Sequence, residues 1–359
     1  GSPWCPRSVM SLTTPVTRLL GCEHPILLAG MGNTSKAPLV AAVSNAGGFG
    51  VIGGVRYTPS MLRELLAEVK EHLKDPSLPF GVDLLLPQVG GSARKTNRDY
   101  TKGQLDELID IIIESGAKLF VAAVGLPPRD VVNKLHAAGV LYMHAVRACE
   151  NGADIICAQG GEAGGHTGDI STSILVPACA DVCQRYKSSL TGQPVQLVAA
   201  GGMADGRSLA AALSLGASAV WVGTRFVACK ESGAPQIAKD QIIKATFDST
   251  IRSTFWSGRP LRALKTPLVA DWEANRAEEM RALQSRGIVV MEHELDRMHD
   301  TGALTEDLEE QATLRPMGIV AGLVNKPNQP AKDIVEEMVQ GAVEALSKAQ
   351  KLMGKQAKL

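Results

Sequence analysis

The sequence predicts an α/β chain, a (β/α)8 barrel whose mouth is capped by a C-terminal helical extension. Three observations predict it. Short apolar or β-branched runs alternate with longer segments of helical periodicity, and each run ends in Gly, Pro or a polar cluster, as repeated βα units require. Eight such runs occur before residue 232, which fits a closed barrel better than an open sheet. Hydrophobic residues make up 45% and aromatics only 4%, with 36 Gly, a composition suited to parallel strands buried under helices. An open doubly wound sheet is the alternative arrangement of the same elements.

The strands are expected at 26–29, 49–52, 80–85, 119–122, 140–143, 154–158, 195–200 and 219–222. Between the second and third, Met61, Leu62, Leu65, Leu66, Val69 and Leu73 recur at helical spacing behind a Thr58 cap, so 59–73 is a helix. Segments 104–115 and 127–138 repeat the pattern. One connection departs from it: only residues 144–153 separate the fifth strand from the sixth, short for a crossover helix between parallel strands. Beyond Glu231 the alternation fades. Residues 230–256 are mixed, 260–272 read as loop, and 273–286 read as one charged helix; a last helix spans 331–352. The expected organisation is therefore a barrel over 12–232, a helical and loop cap over 233–330, and a C-terminal region, 331–359, packing back on the barrel.

Charge and cysteine content narrow the function. Lys plus Arg equals Asp plus Glu at 37 each, so no net field draws the protein to nucleic acid or an acidic membrane, and a small organic ligand is expected. No run of eighteen apolar residues and no apolar signal core occur, which points to a cytoplasmic location; Gly1-Ser2 resembles a tag-cleavage scar, and the stretch to Ser11 is set aside. The seven cysteines are scattered and odd in number, without CxxC pairs, as expected of reduced thiols. Cys179 and Cys183 stand four apart on an expected helix and read as core thiols, with no metal site.

A barrel binds its ligands on the loops that follow its strands. After the first strand comes Gly30-Met31-Gly32; after the seventh, Gly201-Gly202-Met203; after the eighth, Gly223-Thr224-Arg225. Backbone N–H groups bared at two adjacent strand ends form an anion site of the kind that holds a phosphate, while the absence of GxxxxGK[ST] argues against a nucleoside triphosphate. After the sixth strand, AQGGEAGGHTG (158–168) sets His166 between paired glycines. An imidazole, whose ordinary pKa is about 6.5, exchanges a proton at neutral pH, so His166 is the candidate acid/base. Glu162 either orients it or caps the loop. Gln159 offers a donor and an acceptor to a ring edge, and Asp83, ending the third strand, accepts a ring N–H or caps its loop. Lys95 and Tyr100, on the long polar segment 87–101, and His144, at a strand end, are candidate substrate contacts. His24, His72, His136, His293 and His299 read as structural.

The runs HPILLAGMGN, AAVSNAGGFGVIGG, PFGVDLLLP, AQGGEAGGHTGD, VAAGGMADGR and GASAVWVGTRFVACKES, in that order over 19–232, resemble the nitronate monooxygenases, formerly 2-nitropropane dioxygenases; GRPLRALKTP and DWEANR are similar to fungal-type members. The resemblance implies a (β/α)8 barrel holding non-covalent FMN. Gly201, Gly202, Met203, Gly223 and Thr224 would surround the phosphate. Gly30, Met31 and Gly32 would lie near the ring system, with Gln159, Gly164 and Gly165 beside it. His166 matches the family's active-site histidine. The implied reaction is oxidation of a nitronate or nitroalkane with O2 to a carbonyl compound and nitrite, by an enzyme that forms a monomer or a homo-oligomer. Many bacterial members carry Asn where this chain has Asp83, and the short connection after His144 is a second departure. FMN-dependent enoyl-acyl carrier protein reductases, which use NAD(P)H, share the glycine loops and the EAGGH motif, and together with NADH:quinone reductase-like enzymes are the alternative.

Overall fold

The computed structural model describes residues 11–54, 56–88, 99–144 and 146–354. Counted along the chain, the strands among them are β1 (Ile26–Leu28), β2 (Gly50–Gly54), β3 (Phe80–Leu86), β4 (Leu119–Val124), β5 (Leu141–His144), β6 (Ile155–Gln159), β7 (Gly165–His166), β8 (Gln196–Ala200), β9 (Ala219–Val222), β10 (Thr250–Ser253) and β11 (Leu261–Leu264). Eight are parallel and run in the order β1-β9-β8-β6-β5-β4-β3-β2. The ring closes where Leu28 donates its N–H to the Phe49 carbonyl and Phe49 to that of Ile26, both at 2.9 Å. These are the eight strands expected from the sequence, with ends displaced by no more than two residues.

Strand alternation divides the core. Ile26, Leu28, Ile52, Val82, Phe120 and Tyr142 face the surrounding helices, whereas Leu27, Phe49, Val51, Leu119, Val121, Leu141, Met143, Ile155 and Val198 fill the barrel. Helix Pro15–Leu20 adds Val16 and Leu20 to that inner cluster. Its Thr14 side chain caps the helix and donates to the Ser218 carbonyl at 2.6 Å, fixing the helix against the barrel.

The helices at Pro59–His72, Leu105–Ser115 and Arg129–Ala137 follow the apolar periodicity. The short connection between β5 and β6 holds a single 3-10 turn, Val146–Cys149; the chain returns through a bond from Asp154 N–H to the Tyr142 carbonyl. Cys179 and Cys183 are buried in the outer core. Among the described residues no helix is long and apolar enough to cross a membrane.

Three expectations beyond residue 230 are corrected. The mixed segment contains the helix Gln236–Lys244 and β10, and the segment read as loop contains β11 and the start of the helix Pro267–Asn275. The single charged helix is two, Pro267–Asn275 and Ala277–Ser285. The break falls at Arg276, whose guanidinium lies 3.5 Å from the Trp272 ring centroid and binds Glu279 and Glu294; this stacking and pairing hold a non-helical backbone (φ −122°, ψ 21°). The two missed strands, four residues each and too short for alternation to show, pair antiparallel with each other, and β11 pairs antiparallel with β7 on its other edge.

The amino-terminal end of the barrel is tied by Asp154, which is fully buried. Its carboxylate accepts from His136 Nε2 (2.8 Å), Tyr142 N–H (2.7 Å) and Ser188 Oγ (2.6 Å), joining a helix, two strand ends and the turn before β8. Asp154→Ala strands buried donors, so urea unfolding should show a loss of about 3 kcal/mol. A loss below about 1 kcal/mol would show that the tie does not support the barrel.

Candidate active site

At the carboxyl end of the barrel lies a cavity of about 1340 Å³. Ligand pockets usually enclose roughly 300–1,000 Å³, so this one has room for two organic ligands together. Gly30, Met31, Gly32, Asp83, Gln159, Gly164 and Gly165 line it, as do His166, Gly201, Gly202, Met203, Gly223 and Thr224. His144 and Tyr100 line it as well, whereas Lys95 lies outside the described residues. Residues far apart in sequence are thus brought to one chamber by the ring of strand ends.

The loops after β8 and β9 have the form of an anion cradle. Among the described residues, nothing accepts a hydrogen bond from the amide N–H of Gly201, Gly202, Met203, Gly223, Thr224 or Arg225. Five of the six residues, all but Arg225, line the cavity, so their amides are available to an acceptor there. Gly201 and Gly202 have φ of +89° and +72°, the left-handed backbone that turns their amides inward. The helix Gly206–Ser214 then begins behind an Asp205 capping box, adding its positive end to the site.

His166 is held from three sides. Its strand, β7, pairs with β11, so that His166 faces Leu261. Gln159 Nε2 donates to the His166 carbonyl at 2.6 Å, and His166 Nε2 stands 2.9 Å from Ser257 Oγ. Gln159 therefore secures the histidine's backbone in addition to lining the cavity. Glu162 does not orient the imidazole: both its oxygens accept from Thr172 N–H, at 3.1 and 3.0 Å, so the capping alternative holds. Gly164 has a second use besides baring the ligand. A Cβ there would come within 2.7 Å of Gly318 N, so the glycine admits the backbone of the cap.

The cap supplies residues that sequence reasoning missed: Ser257, Arg262, whose Nε donates to the Gly161 carbonyl at 3.1 Å, and Gly318, whose N–H donates to Thr224 Oγ1 at 3.0 Å. Ser257 and Arg262 flank the GRPL turn, a local signal of a bend that names no partner.

The sequence matches the nitronate monooxygenase family over residues 13–341. The chain belongs to that family. It is an oxidoreductase, and the expected barrel and membership are both borne out. A probable nitronate monooxygenase of Staphylococcus saprophyticus is 32% identical over 72% of this chain and 81% of its own length. A Mycobacterium tuberculosis protein named (3aS,4S,5R,7aS)-5-hydroxy-7a-methyl-1-oxo-octahydro-1H-indene-4-carboxyl-CoA dehydrogenase is 34% identical over 74% of this chain and 70% of its own. The structure of FabK from Thermotoga maritima superposes with a TM-score of 0.74 at 29% identity, covering 96% of this chain and all of that one.

In this nitronate monooxygenase family member, Asp83 is the most perturbed acid facing the chamber. It is buried, has no hydrogen-bond partner among the described residues, and stands so close to Gly30 that a Cβ there would collide with its carboxyl. Burial pushes its pKa up to about 8. A neutral carboxyl presents one O–H donor and one C=O acceptor, as an Asn amide presents N–H donors and a C=O acceptor. Burial likewise pushes the neighbouring Cys157 thiol up to about 12, leaving it un-ionised and inert. His144 is buried, with Nε2 3.0 Å from the Gly125 carbonyl, and Tyr100 lies under Arg56, 5.6 Å from guanidinium to ring centroid.

Because Asp83 keeps its proton in the folded protein until pH nears 8 while the unfolded chain loses it near 4, its burial costs progressively more stability as pH rises through that window. Asp83→Asn should therefore be more stable than wild type in flavin-free urea unfolding, by about 2–4 kcal/mol at pH 7 and by little at pH 4. An equal gap at both values would mean that the carboxyl ionises normally.

Proposed function

We propose that this protein is an FMN-dependent enzyme that oxidises alkyl nitronates with O2 to a carbonyl compound and nitrite, with His166 as its acid/base. One observation carries the reading: a histidine fixed by Ser257 and Gln159 opens into the chamber that also contains the free-amide cradle. The residues fit FMN. The cradle would donate to a phosphate through amides that have no acceptor among the described residues, and the volume would accommodate a flat ring system with a substrate beside it. When bound, FMN supplies the redox chemistry, passing electrons from the nitronate to O2.

The chain's own share is placement, proton handling and exclusion of water. The loops after β8 and β9 would hold the phosphate, and the Gly30-Met31-Gly32 turn and Asp83, which line the same chamber, would border the ring. His166 takes the proton from the carbon bearing the nitro group when the substrate arrives as a neutral nitroalkane. Ser257 engages the imidazole at Nε2 and so holds the ring's orientation toward the chamber. Leu261 of β11 and the Met317–Gly318 segment line the chamber beside the imidazole, which is half-buried.

A second reading, an NAD(P)H-dependent reductase of an enoyl thioester, draws support from the relative named a carboxyl-CoA dehydrogenase and from the size of the chamber. Anaerobic mixing of the flavin-loaded protein separates the two. A nitronate should bleach the flavin while NADH leaves it yellow; fast bleaching by NADH reverses the assignment. His166→Ala should retain flavin yet lose nitroalkane turnover by about 10²–10⁴-fold, with a smaller loss on a preformed nitronate. Undiminished nitroalkane turnover would remove His166 from the mechanism.

A further inference from the structure

The phosphate cradle is not self-supporting. Arg225, the residue after Thr224, turns its side chain away from the chamber and is largely buried. Its Nη1 donates to the Ala204 carbonyl at 2.5 Å, so the loop after β9 grips the loop after β8. Its Nη2 donates to Glu337 Oε2 (2.6 Å) and Gln329 Oε1 (3.0 Å). Glu337 sits on the C-terminal helix Ala331–Gln350, where it also accepts from Lys326 Nζ and Gln329 Nε2, both at 2.7 Å. These donors hold the Glu337 carboxyl down at about 2, so it stays charged across the working pH range.

A second contact joins the same helix to the same loops. Gly206 opens the helix behind the cradle, and a Cβ there would collide with the backbone of Gly341 and Ala342. The C-terminal helix is further anchored at its start, where Glu231 accepts from Ala331 N–H at 2.9 Å. The two helices thus meet backbone to backbone at the point where the cradle's amides begin.

We infer that Arg225 is a positioning residue of the phosphate site and that the C-terminal helix, through Glu337, sets the spacing of the two loops and so the affinity for the phosphorylated flavin. The inference rests on the proposed FMN cradle. A bidentate guanidinium is needed because one planar group must reach a carbonyl on one loop and a carboxylate on the helix, which an ammonium cannot do together.

The test compares FMN with riboflavin, which has the same ring system without the phosphate, by quenching of flavin fluorescence on the flavin-free protein. Wild type should prefer FMN. Arg225→Ala should weaken FMN binding at least tenfold while riboflavin binding changes less than twofold; Arg225→Lys should fall between. Glu337→Gln, at a half-exposed position, should weaken FMN severalfold, and riboflavin binding changed less than twofold in each variant guards against a folding defect. A wild type that binds both flavins equally would overturn the cradle itself, and this inference with it. A wild type that prefers FMN, with Arg225→Ala and Glu337→Gln keeping the full preference, would overturn the inference alone.

Discussion

The site depends on a constraint of the peptide backbone. A strand's amides are satisfied by the ladder only while the strand lasts, and in a closed barrel all eight parallel strands stop at the same end. Where β8 and β9 stop, the chain turns through Gly201, Gly202 and Gly223 into helices, and among the described residues the amides of Gly201, Gly202, Met203, Gly223 and Thr224, all lining one chamber, have no acceptor. Such amides are costly unless something accepts from them. An anion would answer that need, and the imidazole and the segments of residues 256–318 that line the chamber stand around the same space.

The imidazole's placement follows from a different device. His166 belongs to a two-residue strand that could not persist alone; it exists because β11, nearly a hundred residues later, pairs with it and with β10. The cap therefore builds the site as well as covering it. Ser257 reaches His166 from the turn between β10 and β11, and Gly164 lets the Met317–Gly318 backbone come close enough for Gly318 to donate to Thr224. The loop after β9, the histidine loop and the segments of residues 257–318 are thus fastened to one another through short polar contacts, so the three segments that line the chamber depend on each other for position.

Much of the fold was legible because its signals are local and repeated. Eight apolar runs, each followed by a glycine turn and a helical stripe, can be read without knowing what they pack against, and the amphipathic face of a helix such as Pro59–His72 is written in its own fourteen residues. The cavity-lining residues were legible for the same reason, because a barrel gathers the loops that follow its strands. Between residues 230 and 286 the local signal failed, although the last helix, expected at 331–352, stands at Ala331–Gln350. β10 and β11 are short, and Arg276 breaks a helix that its neighbours' periodicity would continue, because stacking on Trp272 and pairing with Glu279 and Glu294 outweigh local propensity.

The sequence by itself determined the order of strands and helices, the turns at which glycine frees backbone amides, and the candidate histidine, because each is a property of a few adjacent residues. Tertiary structure alone decided what those residues touch. It made Glu162 a helix cap instead of a partner of His166, gave that role to Ser257, buried Asp83 beside Gly30 where its carboxyl holds a proton, and carried Glu337 to Arg225 across more than a hundred residues. Those outcomes rest on distance and dielectric between segments remote along the chain, and neither quantity is written in the spacing of residues.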